Sequence, residues 1–106
     1  MAEIVLSDAA HGRAVPAQVG DTIVVELAEN PTTGFRWTVT AIDTRALQAA
    51  GDEFRRDPRA GVGGGGLRVF RFTARKRGTT SLELKLARSW ESGSARAIFA
   101  VRLDLR

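Results

Sequence analysis

The sequence predicts an all-β protein, an antiparallel β-sandwich of six to eight strands with an immunoglobulin-like arrangement. Apolar and polar residues alternate with a period of two in most apolar segments, as in strands that bury one face. Glycine- and proline-containing turn signals recur about every 8–12 residues, which is typical of such sandwiches. A chain of 106 residues is predicted to form one domain over residues 1–106. It contains no cysteine, so this domain has to be stabilised by packing alone.

The first half of the chain contains three predicted strands, at residues 3–6, 23–27 and 35–41. Residues 7–20 form a polar connection that is expected to be partly extended near residues 13–15. In the third strand Phe35, Trp37, Val39 and Ala41 alternate with polar residues and define the core face. Trp37 is therefore predicted to be the central aromatic residue of the core.

The second half contains three more strands, at residues 67–74, 82–86 and 97–105. Residues 43–50 are predicted to form a helical turn or a loop, and the charged residues 51–60 an irregular segment. Strand periodicity places Phe70, Phe72 and Phe99 on inward faces, where with Trp37 they supply much of the core. A fully buried Phe side chain contributes roughly 1.5–3 kcal/mol to stability.

Composition excludes several kinds of site. With one histidine, His11, and no cysteine, the chain lacks the ligands of a zinc site, and His11 is predicted to be an exposed loop residue. The glycine run at residues 63–66 precedes a strand rather than a helix, so it does not match a nucleotide-binding loop. Asp52, Glu53 and Asp57 lie among arginines and are predicted to form a surface ion-pair cluster.

The net charge of +4 makes nucleic acid a partner to consider. Strand periodicity, however, places Phe70 and Phe72 on the face opposite Arg71 and Arg75. Base stacking needs aromatic side chains beside the cations, so no nucleic-acid partner is expected. Electrostatic binding of nucleic acid therefore ranks below the two hypotheses given at the end of this section. Steep salt dependence of binding to DNA or RNA would favour it.

Three connections carry unusual and specific residues, which are Asn30-Pro31-Thr32-Thr33-Gly34, Gly63-Gly64-Gly65-Gly66 and Arg88-Ser89-Trp90. In an immunoglobulin-like topology alternate connections emerge at the same end of the sandwich, so these three are expected to lie side by side. Trp90 is either folded back onto the core or offered to a partner, and its position in the sequence favours neither.

The three motifs resemble those of the chagasin-type family of cysteine-peptidase inhibitors. That family carries an Asn-Pro-Thr-Thr-Gly loop, a Gly-x-Gly-Gly loop and an Arg-Pro-Trp/Phe loop on an immunoglobulin-like sandwich. The first motif is complete here and is followed by Phe35 and Trp37, and the second is matched four residues ahead of Phe70. In the third motif Ser89 replaces the usual proline. The resemblance covers the chain from about residue 20 onward.

The resemblance implies reversible inhibition of papain-like cysteine peptidases of the cathepsin-L type, with three loops forming a wedge in the active-site cleft. Pro31 to Gly34 would lie over the catalytic cysteine, and the glycine backbone would approach the non-primed side. Trp90 would pack on an aromatic wall of the primed side, with Arg88 beside it. It also implies a monomer without catalytic activity, cofactor or membrane partner.

The serine at position 89 is the main departure from the family pattern. Serine lacks the fixed φ of proline, so the third loop is expected to be looser and Trp90 less well oriented. Ser89→Pro should recover part of the affinity. Four successive glycines likewise add an entropic cost when the second loop is ordered.

A second hypothesis is a non-inhibitory β-sandwich binding module for a protein or glycan partner. Exposure of Thr32, Thr33 and Trp90 at one end, and inhibition of a papain-like enzyme, distinguish the two. The start of the chain lacks the features of a signal peptide, and no apolar run is long enough to cross a membrane. A soluble protein is therefore expected, cytoplasmic, or periplasmic or secreted if the chain is a trimmed mature form.

Overall fold

The computed structural model describes residues 1–59 and 64–106 and contains eight strands in this part of the chain. They are β1 (Glu3–Leu6), β2 (Ala14–Ala17), β3 (Thr22–Glu29), β4 (Arg36–Ile42), β5 (Leu47–Arg56), β6 (Gly66–Ala74), β7 (Gly78–Ala87) and β8 (Ala97–Leu105). Two short 3-10 helices, Asp8–Ala10 and Pro31–Thr33, lie in the connections. No helix among the described residues is long and apolar enough to cross a membrane.

The strands form two four-stranded sheets with the orders β1-β3-β6-β5 and β2-β8-β7-β4. The predicted sandwich of six to eight strands is confirmed. The short edge strands β1 and β2 add one parallel pair to each sheet, and all other pairs are antiparallel. The predicted extended segment near residues 13–15 is part of β2, in which Val15 lies opposite Leu103.

The core lies between the sheets and contains the four aromatic side chains that periodicity placed there. Trp37, Phe70, Phe72 and Phe99 are all buried. They pack with aliphatic side chains from both sheets, including Ile23, Leu27, Leu47, Leu82, Leu84 and Leu103. The predicted role of Trp37 as a core aromatic residue is confirmed.

The predictions of a helical turn or loop over residues 43–50 and of an irregular segment over residues 51–60 are wrong from residue 47 onward, because Leu47–Arg56 forms the ten-residue edge strand β5. The carbonyl oxygen of Asp43 accepts hydrogen bonds from the amides of Ala46 and Leu47, so the expected turn ends just before the strand. Only Leu47 of β5 is fully buried. A mostly exposed edge strand needs no apolar alternation, and this explains why its charged sequence did not predict a strand.

Strand β4 deviates from its predicted periodicity near its end. A register shift between Val39 and Ala41 interrupts its pairing with β7, as a β-bulge does. Ala41, predicted to face the core, is exposed, and Ile42 packs against the core instead. His11 is exposed as predicted, and its Nδ1 accepts a hydrogen bond of 3.0 Å from the amide of Ala100.

Only some of the ion pairs predicted among residues 52–59 form within that segment. Arg55 pairs with Glu53 at 3.5 Å, but it also pairs with Glu26 of β3 at 3.2 Å. Glu53 pairs with Arg71 and Asp52 with Arg68, both across the β5–β6 ladder. Strand pairing therefore places these side chains beside ion-pair partners on neighbouring strands.

Candidate functional site

Three connections meet at one end of the sandwich. Loop 1 (residues 30–35) joins β3 to β4, loop 2 (residues 57–65) joins β5 to β6, and loop 3 (residues 88–96) joins β7 to β8. Glu29, the last residue of β3, lies opposite Gly66, the first residue of β6. Arg36, the first residue of β4, lies opposite Ala87, the last residue of β7. The three loops therefore emerge side by side, as strand order predicted.

Loop 1 is closed by its own hydrogen bonds. The Asn30 side-chain oxygen accepts from the amide of Thr32 at 3.1 Å and from its hydroxyl at 2.7 Å, which caps the 3-10 helix Pro31–Thr33. The Thr33 hydroxyl donates to the carbonyl oxygen of Asn30 at 2.7 Å. Gly34 ends the turn with a φ of +78°, a left-handed conformation that favours glycine. The loop therefore has one preferred shape.

The tip and the base of loop 1 differ in exposure. Pro31 and Thr32 are exposed, Thr33 and Gly34 are partly buried, and the ring of Phe35 is buried below them. The guanidinium groups of Arg88 and Arg96 lie 4.4 and 4.1 Å from the centroid of the Phe35 ring. Two cation–π contacts thus join the base of loop 1 to both ends of loop 3.

Loop 3 is held by Arg88 and Ser94. The Ser94 hydroxyl accepts from the amide of Arg88 at 2.8 Å and donates to its carbonyl oxygen at 3.0 Å. Arg88 donates from Nε to the carbonyl oxygen of Thr33 at 3.0 Å and pairs with Glu91 at 3.2 Å. These contacts order a loop that lacks the family proline at position 89, an effect that the sequence did not predict.

Trp90 lies against loop 1 and is not part of the core cluster, so the first of the two possibilities that its sequence position left open does not hold. Its side chain is exposed, with 70% of the residue accessible, yet the edge of its ring lies against Gly34. A Cβ atom at position 34 would collide with the Cη2 atom of Trp90. Because glycine has no side chain, the indole can lie across loop 1 and still present its outer face to solvent.

Gly65, the last residue of loop 2, and Gly66, the first residue of β6, lie where neighbouring backbones come close. A Cβ atom on Gly65 would lie 3.0 Å from the carbonyl oxygen of Glu29, and one on Gly66 would collide with that of Arg55. Position 66 therefore requires glycine for this close packing, whereas a side chain at position 65 would need only a small shift of the neighbouring backbone. Gly64 is partly buried, and Gly63, the first residue of the predicted glycine segment, lies outside the described residues.

Sequence reasoning missed a buried ion pair below the loops. Arg68 of β6 donates from Nε at 3.1 Å and from Nη2 at 2.8 Å to one oxygen of Glu29. Both residues are buried, and the hydrogen bonds to Glu29 raise the pKa of the Arg68 guanidinium. Strand periodicity could have revealed that both side chains face inward. Glu29 lies on the same face of its strand as Leu27, and Arg68 on the same face as Phe70.

Phe35 and Arg96 were also missed as parts of the site. Phe35 was assigned to the core face of a strand, and Arg96 follows the predicted motif of loop 3 without belonging to it. Their contact joins residues 61 positions apart and depends on how β4 and β8 are placed. Within the described ranges, no group of three or more histidine or acidic side chains could hold a metal ion.

Solved structures resemble this fold over nearly its whole length. The cysteine protease inhibitor EhICP2 from Entamoeba histolytica matches with a TM-score of 0.88 and 23% identity over 99% of this chain and 96% of its own. ICP from Leishmania mexicana matches with a TM-score of 0.67 and 26% identity over 91% of this chain and 90% of its own. PbICP-C, solved in complex with falcipain-2, matches with a TM-score of 0.72 and 11% identity over 98% and 89%.

Sequence comparison identifies a family. No curated protein sequence matches this chain. The family described as Chagasin family peptidase inhibitor I42, however, matches residues 16–103, which include all three loops and seven of the strands in whole or in part. The resemblance of the motifs is therefore confirmed: this chain belongs to the chagasin family of peptidase inhibitors and is an inhibitor, not an enzyme.

Proposed function

We propose that this protein is a reversible inhibitor of papain-like cysteine peptidases and that loops 1, 2 and 3 form the wedge that enters the active-site cleft. EhICP2 is described as a cysteine protease inhibitor, and PbICP-C was solved in complex with falcipain-2. The observation that carries the proposal is the direct contact between loops 1 and 3, through Arg88 and Thr33 and through Trp90 and Gly34.

Mutual support between the loops favours tight binding. A loop that already has its bound shape loses little conformational entropy when the complex forms. Loop 1 has its cap at Asn30 and its link to Arg88, and loop 3 has its bonds from Ser94. A standard interface of about 1,600 Å² can then give high affinity from a surface that is ready before binding.

The shape of loop 1 also explains how it can block a peptidase without being cleaved. Cleavage requires that a peptide carbonyl reaches the nucleophile in a near-attack geometry. Pro31–Thr33 is instead wound into a 3-10 helix, and the amide of Gly34 donates to the carbonyl oxygen of Pro31 at 3.1 Å. Loop 1 therefore does not present an extended segment that the peptidase could position as a substrate.

Each loop has a distinct proposed role. The exposed residues Pro31 and Thr32 lie over the catalytic cysteine, with Thr33 and Gly34 completing the turn. Gly64 to Gly66 and the preceding Gly63 bring side-chain-free backbone to the non-primed side. Trp90, oriented by Gly34 and followed by the ordered remainder of loop 3, supplies the aromatic anchor of the primed side.

The test is steady-state inhibition of papain and of a cathepsin-L-type peptidase by the wild-type protein and by the Thr32→Ala/Trp90→Ala variant. We expect reversible inhibition in the nanomolar range that is largely lost in the variant. The matched control is Val19→Ala/Thr79→Ala, which truncates an exposed apolar and an exposed threonine residue at the opposite end of the sandwich. Its inhibition constant should equal that of the wild type.

Absence of inhibition at micromolar concentrations by the folded wild-type protein would overturn the proposal. The non-inhibitory binding module would then be the better hypothesis for the same loops. Inhibition that survives in the Thr32→Ala/Trp90→Ala variant would instead show that a different surface binds the peptidase.

A further inference from the structure

We propose that Glu29 and Arg68 are positioning residues of the inhibitor, which hold loop 1 in its binding conformation through their buried ion pair. The proposal rests on the inhibitory function proposed above and adds residues that do not themselves contact the peptidase. Neither residue belongs to the three sequence motifs, and both lie below the loops on the inward faces of β3 and β6.

The carboxylate of Glu29 closes the base of loop 1. One oxygen, Oε2, accepts a hydrogen bond of 2.8 Å from the amide of Trp37, which lies just after the loop in β4. The indole Nε1 of Trp37 donates to the carbonyl oxygen of Ala28 at 2.9 Å. Strands β3 and β4 belong to different sheets, so no strand ladder joins them. In the absence of a ladder, these two hydrogen bonds connect the two ends of loop 1.

Arg68 fixes the direction in which the carboxylate points. Its Nε and Nη2 both donate to Oε1 of Glu29, which leaves Oε2 free to accept from Trp37. The remaining nitrogen, Nη1, donates to Asp52 of β5 at 3.1 Å. The guanidinium also lies 5.5 Å from the centroid of the Phe54 ring. Strands from both sheets are thereby tied to one point under loop 1.

The burial of this pair argues for a role in specifying conformation. A buried ion pair is often no better for stability than apolar residues of similar volume, because its desolvation offsets the attraction. Removal of one partner alone leaves an uncompensated charge and is strongly destabilising. A purely structural role therefore predicts that a paired apolar replacement restores both stability and inhibition. A positioning role predicts that inhibition stays weakened even at temperatures at which the paired variant is folded, because the amide of Trp37 has lost its acceptor.

Two double variants separate these predictions. In Glu29→Met/Arg68→Met the ion pair is replaced by apolar side chains and the amide of Trp37 loses its acceptor. In Glu29→Gln/Arg68→Met the buried charges are also removed, but an amide oxygen remains that can accept from Trp37. The control is Glu53→Gln/Arg71→Met, which removes an exposed pair from strands β5 and β6 with no contact to loop 1.

We expect the Met/Met variant to bind papain roughly tenfold or more weakly, chiefly through faster dissociation, because loop 1 must be reordered on binding. The Gln/Met variant should keep more of the affinity, because the buried amide of Trp37 keeps an acceptor, and the control should keep all of it. Inhibition constants are measured at a temperature at which every variant is folded. Wild-type affinity in the Met/Met variant would overturn the proposal.

Hydrogen exchange in the free protein gives a second readout that needs no peptidase. The amides of Trp37 and Gly34 should exchange faster in the Met/Met variant than in the wild type, while amides at the opposite end of the sandwich keep their protection. If the wild type fails to inhibit, the proposed function fails, but this exchange pattern still decides whether the pair orders loop 1. Unchanged exchange at both amides would contradict the positioning role.

Discussion

The Nε atom of Arg88 donates a hydrogen bond of 3.0 Å to the carbonyl oxygen of Thr33, and the same guanidinium lies over the ring of Phe35 at 4.4 Å. A side chain of loop 3 therefore holds both the turn and the base of loop 1. The arginine of the third motif thus acts within the inhibitor itself, whatever it contacts in a peptidase. Disturbing it is expected to affect two loops at once.

Arg88→Lys is predicted to weaken inhibition of papain roughly tenfold while retaining the positive charge. A lysine ammonium cannot donate to Thr33 and stack flat on Phe35 at the same time, because it lacks the planar fork of arginine. Inhibition constants and dissociation rates measure the effect. Arg102→Lys on β8, where Arg102 is exposed and paired with Asp104, is the control and should inhibit like the wild type. Equal affinity of the two variants would show that the charge alone matters.

Gly34→Ala is predicted to lower the free energy of unfolding and to displace Trp90. The positive φ of +78° alone costs an alanine roughly 1–2 kcal/mol, and its Cβ would also collide with the indole ring. The collision can be relieved only if Trp90 leaves its place across loop 1. Denaturant unfolding and papain inhibition should therefore both show a loss.

Gly12→Ala separates the two causes. Gly12 has a φ of +77°, almost the same as Gly34, but a Cβ atom there would have no neighbour within 4 Å. Gly12→Ala should therefore lower the free energy of unfolding only by the cost of the positive φ, and it should leave the affinity for papain unchanged. If Gly34→Ala loses no more than Gly12→Ala in either measurement, the proposed orientation of Trp90 by Gly34 is wrong.

The parts of the fold that the sequence predicted are those in which one face of a strand is buried. Strands β7 and β8 follow this alternation, and β3 and β6 follow it except that Val24 and Val69, on the opposite faces, are buried as well. The core aromatic side chains lie where the alternation places them. Strand β5 could not be found this way, because only Leu47 is fully buried and its pairing with β6 leaves its other residues at least partly exposed. The register shift near Ala41 has no sequence marker either.

The site shows the same division. The motifs marked all three loops, but the contacts that order them depend on tertiary neighbours far along the chain. Glu29 and Arg68 are 39 positions apart and Arg88 and Thr33 are 55 apart. The predicted strand ended at Leu27, so Glu29 was assigned to no face. Alternation continued to Glu29 and Arg68 would have placed both inward, where a buried charge requires a partner. Pairing them from sequence would have needed the strand register.

Ser94→Ala is predicted to weaken inhibition severalfold, because it removes both hydrogen bonds that hold the start of loop 3 at Arg88. Ser92→Ala, in the same loop and exposed, is the control. The structure also refines the expectation for Ser89→Pro. Since Ser94 already orders this loop, the proline should improve affinity more in the Ser94→Ala background than in the wild type. An equal gain in both backgrounds would mean that the two residues stiffen different features.

Asp21→Asn is predicted to reduce the loss of stability in acid without affecting inhibition at neutral pH. The Asp21 carboxylate accepts from the amide of Ala2 at 2.8 Å and from that of Gln18 at 2.9 Å, and these hydrogen bonds hold its pKa below the usual value. The folded state therefore binds this proton less readily than the unfolded state. The stability that the carboxylate contributes is fully present above the unfolded pKa of about 3.9 and is lost as the pH falls through the lower folded value.

Urea unfolding from pH 7 to pH 2.5 measures this contribution. The wild type should lose stability steeply below about pH 4, whereas Asp21→Asn should start less stable at pH 7 and fall less over the same range. Asp43 and Glu53, whose pKa values are also lowered by hydrogen bonds, leave a residual slope in the variant. Because Asp21 is bonded to residues 2, 18 and 74, away from the three loops, papain inhibition at pH 7 should stay at the wild-type value. An unchanged acid slope would show that Asp21 does not carry the pH dependence.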